Sequence, residues 1–145
     1  MASVRDVLRA KASSQVYSVG PSAKILDAIK LMAEKGLGAL LVTDGEKLVG
    51  IVSERDYARK VVLMDRSSQT AEVREIMTAD VICVTPDHTV DYCLELMTDK
   101  RLRHLPVMED GKLIGMVSIG DLVKKTIEEQ RSLILQLERY IRGEI

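Results

Sequence analysis

Tryptophan and phenylalanine are both missing from this chain of 145 residues, and cysteine occurs only twice. A hydrophobic core must therefore be built from leucine, isoleucine, valine, methionine and alanine. Cys83 lies in a predicted strand and Cys93 in a predicted helix, which is poor material for a disulfide framework. This cysteine usage favours a reducing environment, and we expect the protein to be soluble and cytoplasmic.

The chain also lacks an excess of charge of either sign and any long apolar run. Its net charge is -1, with acidic and basic residues interspersed, so it shows neither a basic stripe for nucleic acid nor a polybasic membrane patch. No apolar run approaches the roughly 18 residues that a membrane-spanning helix needs, and no apolar leader follows a basic start. We therefore expect no nucleic-acid or membrane partner.

Catalytic motifs are missing as well. The only histidines are His88 and His104, and neither forms a metal-ligand pattern with the cysteines. No G-x-S-x-G, P-loop or G-x-G-x-x-G sequence occurs. His88 follows Pro86 and Asp87 near a predicted helix start, where we expect it to be solvated. The sequence thus predicts a protein that is not an enzyme and that has no catalytic cofactor and no metal site.

What the chain does contain is an internal repeat. Residues 16–58 align without a gap with residues 81–123 at a constant offset of 65 residues, which is the signature of a repeat architecture. The lead-in at 4–8 resembles 73–77 at an offset of 69 residues, so the four additional residues fall in the connector. This connector, 64–71, is polar and is expected to be exposed and mobile.

The repeat divides the chain into 1–69, the first repeat with its lead-in, and 70–145, the second repeat with a C-terminal helix. Each repeat is predicted to fold as strand, helix, strand, strand, helix. The fold class is therefore mixed α/β (α+β), with two tandem β-α-β-β-α repeats packed as one pseudo-two-fold module. Near-continuous apolar strands predict sheets that are covered on both faces.

The predicted elements are bounded by turn and capping residues in the sequence. In the first repeat, a strand at 16–19 precedes a helix that is capped by Ser22 and ended by Gly36. The hairpin strands are predicted at 39–42 and 47–52 in the first repeat, and at 104–108 and 112–117 in the second. The helix of each repeat carries an apolar stripe at four matching positions: Ile25, Ala28, Ile29 and Met32 in the first, and Val90, Cys93, Leu94 and Met97 in the second.

The last helix is predicted to be unusually long. Neither glycine nor proline interrupts the sequence between Asp121 and Arg142, so the helix would reach roughly 33 Å at its ordinary rise per residue. Its far end carries an apolar stripe at helical spacing. This stripe packs on its own domain, packs on a dimer mate, or docks another protein. Its members are Leu133, Ile134, Leu137, Tyr140 and Ile141.

Both repeats contain a segment of the form G-h-h-S-x-x-D, where h is apolar. The segments are Gly50–Asp56 and Gly115–Asp121, and each places a hydroxyl at the end of a strand and a carboxylate three residues later. One interpretation is a capping box at a helix start. The other is a ligand site, because free amides at a helix start attract anions, and a serine with an aspartate can bind ribose hydroxyls. The two interpretations are compatible.

These motifs resemble those of the CBS domain family. The second repeat carries R-H-L-P-V at Arg103–Val107, followed by G-K-L-I-G-M-V-S-x-x-D at Gly111–Asp121, and the first repeat matches less fully, with Gly38–Val42 in place of R-H-L-P-V. The resemblance covers nearly the whole chain from Arg5 to about Lys125. It implies two pseudo-symmetric units, disc-like dimers, and adenine nucleotides bound in clefts between the repeats.

The resemblance also implies a set of nucleotide-binding residues. The serine and aspartate of each G-h-h-S-x-x-D segment would hold ribose and phosphate, backbone near Val19 and Val84 would meet the adenine, and 38–40 and 103–105 would line the pocket. The full set is Val19, Gly38, Ala39, Leu40, Ser53, Arg55, Asp56, Val84, Thr85, Pro86, Arg103, His104, Leu105, Pro106, Ser118, Gly120 and Asp121.

The two clefts differ in positive charge. The second repeat places Arg103 and His104 where the first has Gly38 and Ala39, whereas Arg55 has Gly120 as its counterpart. Arginine binds phosphate through paired donors, so we expect Arg103, with Arg55 as a second clamp, to contact phosphate; ordinary surface solvation is the alternative for both. The basic second cleft favours AMP, ADP, ATP or NAD over S-adenosylmethionine.

The sequence therefore predicts a regulatory module that binds an adenine-containing nucleotide and signals its occupancy to an effector protein in trans. A homodimer is expected through apolar helix faces around Met32 and Met97. The alternative is a scaffolding protein that acts without ligand, through its dimer and its C-terminal helix.

Overall fold

The structure is a computed structural model, and it describes residues 1–11, 16–63 and 69–143. It divides the chain into two compact units, one of Met1–Ser14 with Cys83–Ile145 and one of Gln15–Ile82. We call the first the second-repeat unit and the other the first-repeat unit. The elements in chain order are α1 (Val4–Ala10), β1 (Ser18–Val19), α2 (Ile25–Lys35), β2 (Ala39–Asp44), β3 (Lys47–Ser53), α3 (Glu54–Tyr57), a π-helical turn (Ala58–Val62), a 3-10 turn (Val73–Glu75), α4 (Val90–Lys100), β4 (His104–Glu109), β5 (Lys112–Ser118) and α5 (Ile119–Ile141).

The first-repeat unit is a three-stranded sheet covered by α2. Strand β1 pairs in parallel with β2, which pairs antiparallel with β3. Helix α2 ends at Gly36, as predicted, because Gly36 adopts the left-handed conformation at φ 67. The core combines side chains of α2, of β2 and β3, and of the 3-10 turn: Ile25, Ala28, Met32, Leu40, Val42, Val52, Val73 and Ile76.

Two predicted boundaries in this unit are wrong. The strand at 16–19 shortens to Ser18–Val19. Helix α2 begins at Ile25, with Lys24 rather than Ser22 at the N-cap and no side-chain cap bond. The reason is tertiary: the Ile25 amide donates to the carbonyl of Ala71 at 3.1 Å, so a segment distant in sequence satisfies the helix start and the serine is left in the preceding turn.

The second-repeat unit is built on the β4–β5 hairpin, with α4, α5 and α1 packed around it. Helix α4 is capped by Thr89 and ends at Arg101, which adopts the left-handed conformation at φ 56. The predicted first strand of this repeat reduces to one parallel bridge between Val84 and Val107. Cys83 therefore lies outside any strand of the described residues, and only Cys93 lies in the helix predicted for it.

The lead-ins are exchanged between the repeats. Residues 1–11 precede the first repeat but pack in the second-repeat unit, where the Arg5 amide donates to the Pro86 carbonyl at 3.0 Å. At the matching positions, the Arg74 amide donates to the Pro21 carbonyl at 3.0 Å in the first-repeat unit. The compact units thus combine each repeat with the lead-in of the other, rather than following the sequence halves 1–69 and 70–145.

The connector is only partly described. Residues 64–68 lie outside the described residues, and Gln69 and Thr70 are exposed, as predicted. Ala71 contradicts that prediction because it is buried in the core of the first-repeat unit, and its carbonyl receives the α2 amide.

The methionines predicted to form a dimer surface lie in the core instead. Met32 and Met97 are each 2% exposed, because they sit on the buried sides of α2 and α4. They cannot supply an interface between copies.

Helix α5 is continuous over 23 residues, as the absence of glycine and proline near its centre predicts. Leu122 is its one buried residue, and every residue from 127 to 143 is exposed. The stripe at its far end therefore does not pack on the described part of its own chain. Within that part, no helix is both long enough and apolar enough to cross a membrane.

Candidate functional site

The two G-h-h-S-x-x-D segments form the same structure at two helix starts. In the second-repeat unit the Ser118 amide donates to Asp121 Oδ2 at 2.9 Å, and the Asp121 amide donates to Ser118 Oγ at 3.1 Å. Ser53 and Asp56 repeat both bonds at 2.9 and 3.1 Å. The capping box predicted from the sequence is confirmed in both repeats.

These helix starts offer fewer free amides than a bare helix end. The first amide of α5, from Ile119, donates to the carbonyl of Arg103 at 2.9 Å, and the first amide of α3, from Glu54, donates to Gly38 at 3.1 Å. The third amide in each helix is the aspartate amide bound by serine. An anion at either helix start must therefore be held mainly by side chains.

The two aspartates differ in what remains for a ligand. Lys11 Nζ donates to Asp121 Oδ2 at 3.0 Å, on the oxygen that already receives the serine amide. Asp121 Oδ1 consequently has no hydrogen-bond partner among the described residues. Asp56 is arranged the other way, since Lys60 Nζ lies 3.4 Å from its Oδ1. This contact is an ion pair only, since Lys60 Nζ donates its hydrogen bond to the Ile76 carbonyl at 2.9 Å. The two repeats therefore differ in which carboxylate oxygen the lysine approaches.

The two lysines were missed by sequence reasoning. Lys60 lies four residues after Asp56. Helix side chains meet at this spacing, so this contact could have been predicted from the sequence. Lys11 lies 110 residues from Asp121, and it reaches the site only because the lead-ins are exchanged. It is anchored there by a second bond, from Nζ to the Met116 carbonyl at 2.9 Å.

Arg103 and His104 lie beside the second aspartate. His104 is the register partner of Ser118 across β4 and β5. Burial lowers the pKa of His104, and the charges of Lys11 and Arg103 lower it further, while Asp121 opposes them; the net shift is downward. The imidazole is therefore neutral near pH 7. Arg103 is exposed and forms no ion pair with the described residues, so its guanidinium is available to an anion.

Asp121 is held in its charged form. Burial raises the pKa of Asp121, but the hydrogen bonds from Ser118 and the bond and charge of Lys11 lower it more, so the net shift is downward. An ionised carboxylate is an acceptor only. Its free oxygen suits a hydroxyl donor rather than a phosphate.

The backbone expected to meet adenine is already engaged. The Val84 amide donates to Pro106 at 3.0 Å, and its carbonyl accepts from Met108 at 2.9 Å. The Thr85 amide donates to His88 Nδ1 at 2.9 Å. The amides are therefore occupied, whereas a carbonyl that accepts one bond keeps a second lone pair for an amino group such as that of adenine. Val19 stands in the matching register, opposite Val42.

Burial separates the remaining predicted residues into two groups. One group belongs to the core and offers no side chain at the surface of this chain: Ala39, Leu40, Val84, Pro86, Leu105 and Pro106. The other group keeps accessible atoms: Val19, Gly38, Ser53, Arg55, Asp56, Thr85, Arg103, His104, Ser118, Gly120 and Asp121. The structure brings Arg103, His104, Ser118 and Asp121 together in one unit, and Gly38, Ala39, Ser53 and Asp56 together in the other.

A small cavity adjoins Asp121 between α1 and α5. Its volume is about 150 Å³, which is below the roughly 300 Å³ at which pockets for small organic ligands begin. Its lining combines three lysines with two acidic residues, and one of the lysines, Lys11, is paired with Asp121. The lining residues are Val7, Ala10, Lys11, Asp121, Lys124, Lys125 and Glu128.

The part of the chain that the structure describes contains no group of three or more histidine, cysteine, aspartate or glutamate side chains suited to a metal ion. The cysteines are poor nucleophiles in this setting. Burial raises the pKa of Cys93 to about 11, and it also raises the pKa of Cys83.

Comparison with known proteins agrees with the repeated fold. The model of the CBS domain matches residues 4–63 and again residues 73–128. The CBS domain-containing protein CBSX3, mitochondrial, of Arabidopsis thaliana is 40% identical to this chain over an alignment that covers 97% of this chain and 72% of that protein. A solved protein with CBS domains from Burkholderia ambifaria MC40-6 is 56% identical, with a TM-score of 0.86 and coverage of 89% of this chain and 96% of that chain.

A third relative was solved with ligands. The CBS domain pair of protein MJ0100, in complex with 5-methylthioadenosine and S-adenosyl-L-methionine, is 26% identical, with a TM-score of 0.76 and coverage of 86% of this chain and 99% of that chain. The repeated fold, the two matching segments and these relatives agree, and the chain belongs to the CBS domain family, with two CBS domains in tandem.

Proposed function

We propose that this protein is a regulatory module that binds a phosphate-bearing adenine nucleotide in its second repeat and signals occupancy to a partner protein in trans. One observation carries the proposal. Asp121 is buried enough to be fixed by Ser118 and Lys11, yet its Oδ1 has no partner among the described residues, and the unpaired Arg103 lies nearby. Pairs of CBS domains are regulatory modules, and that of MJ0100 is in complex with adenosine compounds.

The proposed roles follow from hydrogen-bonding capacity. The Asp121 carboxylate accepts bonds from ribose hydroxyls, and Ser118 remains able to contact the sugar because its Oγ can exchange donor and acceptor roles. Carbonyls near Thr85 accept from the adenine amino group. These contacts read the adenosine part, which is common to all candidate ligands.

The choice among adenosine ligands depends on charge. Arg103 and Lys11 are close enough to His104 to lower its pKa, and Lys124 and Lys125 line the adjoining cavity together with Glu128. Such a site favours the phosphates of AMP, ADP, ATP or NAD. S-adenosylmethionine carries a sulfonium cation, which the same charges oppose.

The first repeat is proposed to be the weaker site. Lys60 occupies the vicinity of Asp56 Oδ1, and Gly38 and Ala39 stand where the second repeat has Arg103 and His104. Arg55 is exposed on α3 and serves as its phosphate contact. Binding at the first repeat therefore requires Lys60 to move.

No catalytic step is part of the proposal, because the polar groups around Asp121 supply recognition and charge rather than a nucleophile with a base. The effector is a separate protein, and the cytoplasmic location stays a prediction.

Nuclear magnetic resonance locates the site directly. AMP added to the ¹⁵N-labelled protein should shift the amide signals of Arg103–Leu105 and Ser118–Asp121 first, and those of Ser53–Asp56 only at higher concentration. Adenosine at equal concentration is the matched control, and it should shift the same signals more weakly. Shifts confined to residues outside both segments, or no shifts at millimolar AMP, would contradict the proposal.

A second candidate function is scaffolding without ligand. It is favoured by the exposed far half of α5, which supplies a contact surface regardless of nucleotide. Under that function, no adenine compound shifts any amide signal.

A further inference from the structure

Helix α5 leaves the body of its unit after Thr126. Leu122 is buried and Thr126 is half-buried, but residues 127–143 are all exposed. Glu128 still lines the cavity against α1, and from 129 to 141 the helix spans about 20 Å without support from the described part of its own chain. An isolated helix of this length is marginal in water even with favourable residues, so a partner that covers its apolar side would stabilise the projecting half.

Five of the exposed apolar residues of α5 form one seam along the helix; Ile119, Leu133, Leu135 and Tyr140 are exposed outside it. Val123, Ile127, Ile134, Leu137 and Ile141 follow at spacings of 4, 7, 3 and 4 residues, and they are 42 to 82% exposed. Gln130 occupies the sixth place, between Ile127 and Ile134. The result is an alternation of four and three residues, which is the a/d pattern of a coiled coil. The a positions are isoleucine throughout.

We propose that this seam pairs with the seam of a second copy of this chain to form an antiparallel two-helix coiled coil. In that alignment Ile127 packs against Leu137 of the partner subunit, and Val123 packs against Ile141 of the partner subunit. Gln130 faces Ile134 of the partner subunit in the two central layers. A polar residue at a core position fixes the register of such pairs.

Charge complementarity selects the antiparallel direction and a second copy as the occupant. Lys124 and Glu138 both lie at the e position, and in an antiparallel pair the e positions of the two helices face each other. Lys124 therefore meets Glu138 of the partner subunit at both ends of the seam. In a parallel pair, e positions face g positions, and Lys124 and Glu138 would meet the apolar Ile119 and Leu133.

The same alignment places Arg131 opposite its own copy at the centre. This like-charged contact weakens the pair in the antiparallel direction only. Removing the charge should therefore strengthen association if the proposal is right, and should leave it unchanged in a parallel pair.

The proposal does not depend on nucleotide binding, and its test is the mass of the full chain in solution. Ile134→Asp places a charge in the seam, and sedimentation equilibrium should show the mass fall to half that of the unmodified protein. Leu135→Asp is the matched control, because Leu135 is similarly exposed, at 46% against 55% for Ile134, but lies on the opposite side of the helix. The Leu135→Asp protein should keep the mass of the unmodified protein. Both variants should keep the melting temperature of the body and the response to AMP.

An unmodified protein that is monomeric at micromolar concentration overturns the proposal, as does an equal effect of the two variants on mass or no effect of either.

The direction of pairing has its own test. Lys124→Glu alone and Glu138→Lys alone should each weaken dimerisation by about two- to tenfold, the range expected for exposed ion pairs, and the double variant should recover the original affinity. Arg131→Gln should tighten it. Failure of the double variant to recover, or no gain from Arg131→Gln, overturns the antiparallel alignment.

Discussion

At the scale of single residues, the serine and aspartate of the two repeats make the same capping bonds but differ in their contact with a lysine. Both aspartates cap a helix through Oδ2, but a lysine contacts Asp121 on that same oxygen and Asp56 on the other one. The cap could be predicted from the sequence because its partners lie three residues apart. The lysine that decides which oxygen stays free could not be predicted in the second repeat, because its contact spans 110 residues.

Asp121→Ala should weaken AMP binding more than it destabilises the fold. Losing a charge-assisted bond to ribose costs about 1.5–3 kcal/mol of affinity, whereas losing the capping carboxylate costs roughly 1 kcal/mol of stability. Asp56→Ala is the matched control, with a similar loss of stability and a smaller loss of affinity for the tighter site. Calorimetry and thermal unfolding measure the two quantities. Equal affinity losses in the two variants would make the free Oδ1 irrelevant.

Arg103→Ala should weaken AMP or NAD much more than adenosine, because the guanidinium replaces water around phosphate and has no role toward the sugar or base. The difference between AMP and adenosine should shrink as salt is added, since part of the attraction is screened. Arg139→Ala, which removes the same charge from the exposed part of α5, should have no effect. If adenosine and AMP lose affinity equally, Arg103 shapes the pocket and does not read phosphate.

The lowered pKa of His104 predicts that the stability of the protein depends on pH. Its pKa in the folded protein lies below the ordinary value because of burial, so the unfolded chain binds more protons between the two values. The contribution of His104 is complete above the unfolded pKa, about 6.5, and is lost as the pH falls through the folded pKa. Between pH 7 and 5 the protein should lose more free energy of unfolding than the variant His104→Gln. Urea denaturation at both pH values measures this, and parallel losses would contradict it.

At the scale of elements, the hairpins and the three longer helices follow their sequence patterns. The start of α2 and the first strand of the second repeat do not, because tertiary contacts set them. The β2–β3 and β4–β5 hairpins match the predicted positions to within one or two residues. The cap at Ser22 and the strand around Cys83 fail, because the Ala71 carbonyl and the single bridge at Val84 replace the local signals. The exchange of lead-ins could not be predicted from the sequence of either repeat taken alone.

One glycine in each repeat makes the exchange of lead-ins possible. A Cβ at Gly115 would lie 2.8 Å from a methyl group of Leu8, and one at Gly50 would lie 2.6 Å from the sulfur of Met77 and 3.0 Å from the Thr78 carbonyl. Leu8 and Met77 are matching lead-in residues. The glycine of the G-h-h-S-x-x-D segment therefore serves packing in addition to its place before the site.

Gly50→Ala should destabilise the protein more than Gly115→Ala. Forcing a methyl group into a packed core costs about 1–3 kcal/mol, and at Gly50 one of the obstacles is backbone, which cannot rotate away as the end of Leu8 can. Chemical denaturation of the two variants compares them. Leu8→Ala should rescue Gly115→Ala by removing the crowding atoms, and a Gly115→Ala variant that is the less stable of the two would contradict this account of the packing.

At the scale of the whole molecule, the chain is a tandem pair of CBS domains, and we propose that its second repeat binds a phosphate-bearing adenosine ligand. The family, the repeat and the long last helix could all be predicted from the sequence, because each depends on a local or periodic pattern. The prediction of a dimer surface around Met32 and Met97 is wrong, because both are core residues. The apolar stripe of α5, for which a dimer mate is one of three predicted partners, is exposed instead.

The most direct test is thermal unfolding of the full chain with AMP, ADP, ATP, NAD, S-adenosylmethionine and adenosine. A ligand at 100 times its dissociation constant stabilises the native state by about 2.7 kcal/mol, which corresponds to a rise in melting temperature of roughly 5–10 °C for a chain of this size. We predict such a rise with at least one of the phosphate-bearing ligands, and a smaller one with adenosine and S-adenosylmethionine. An unchanged melting temperature with every ligand at millimolar concentration, or a rise with S-adenosylmethionine alone, would contradict the central claim.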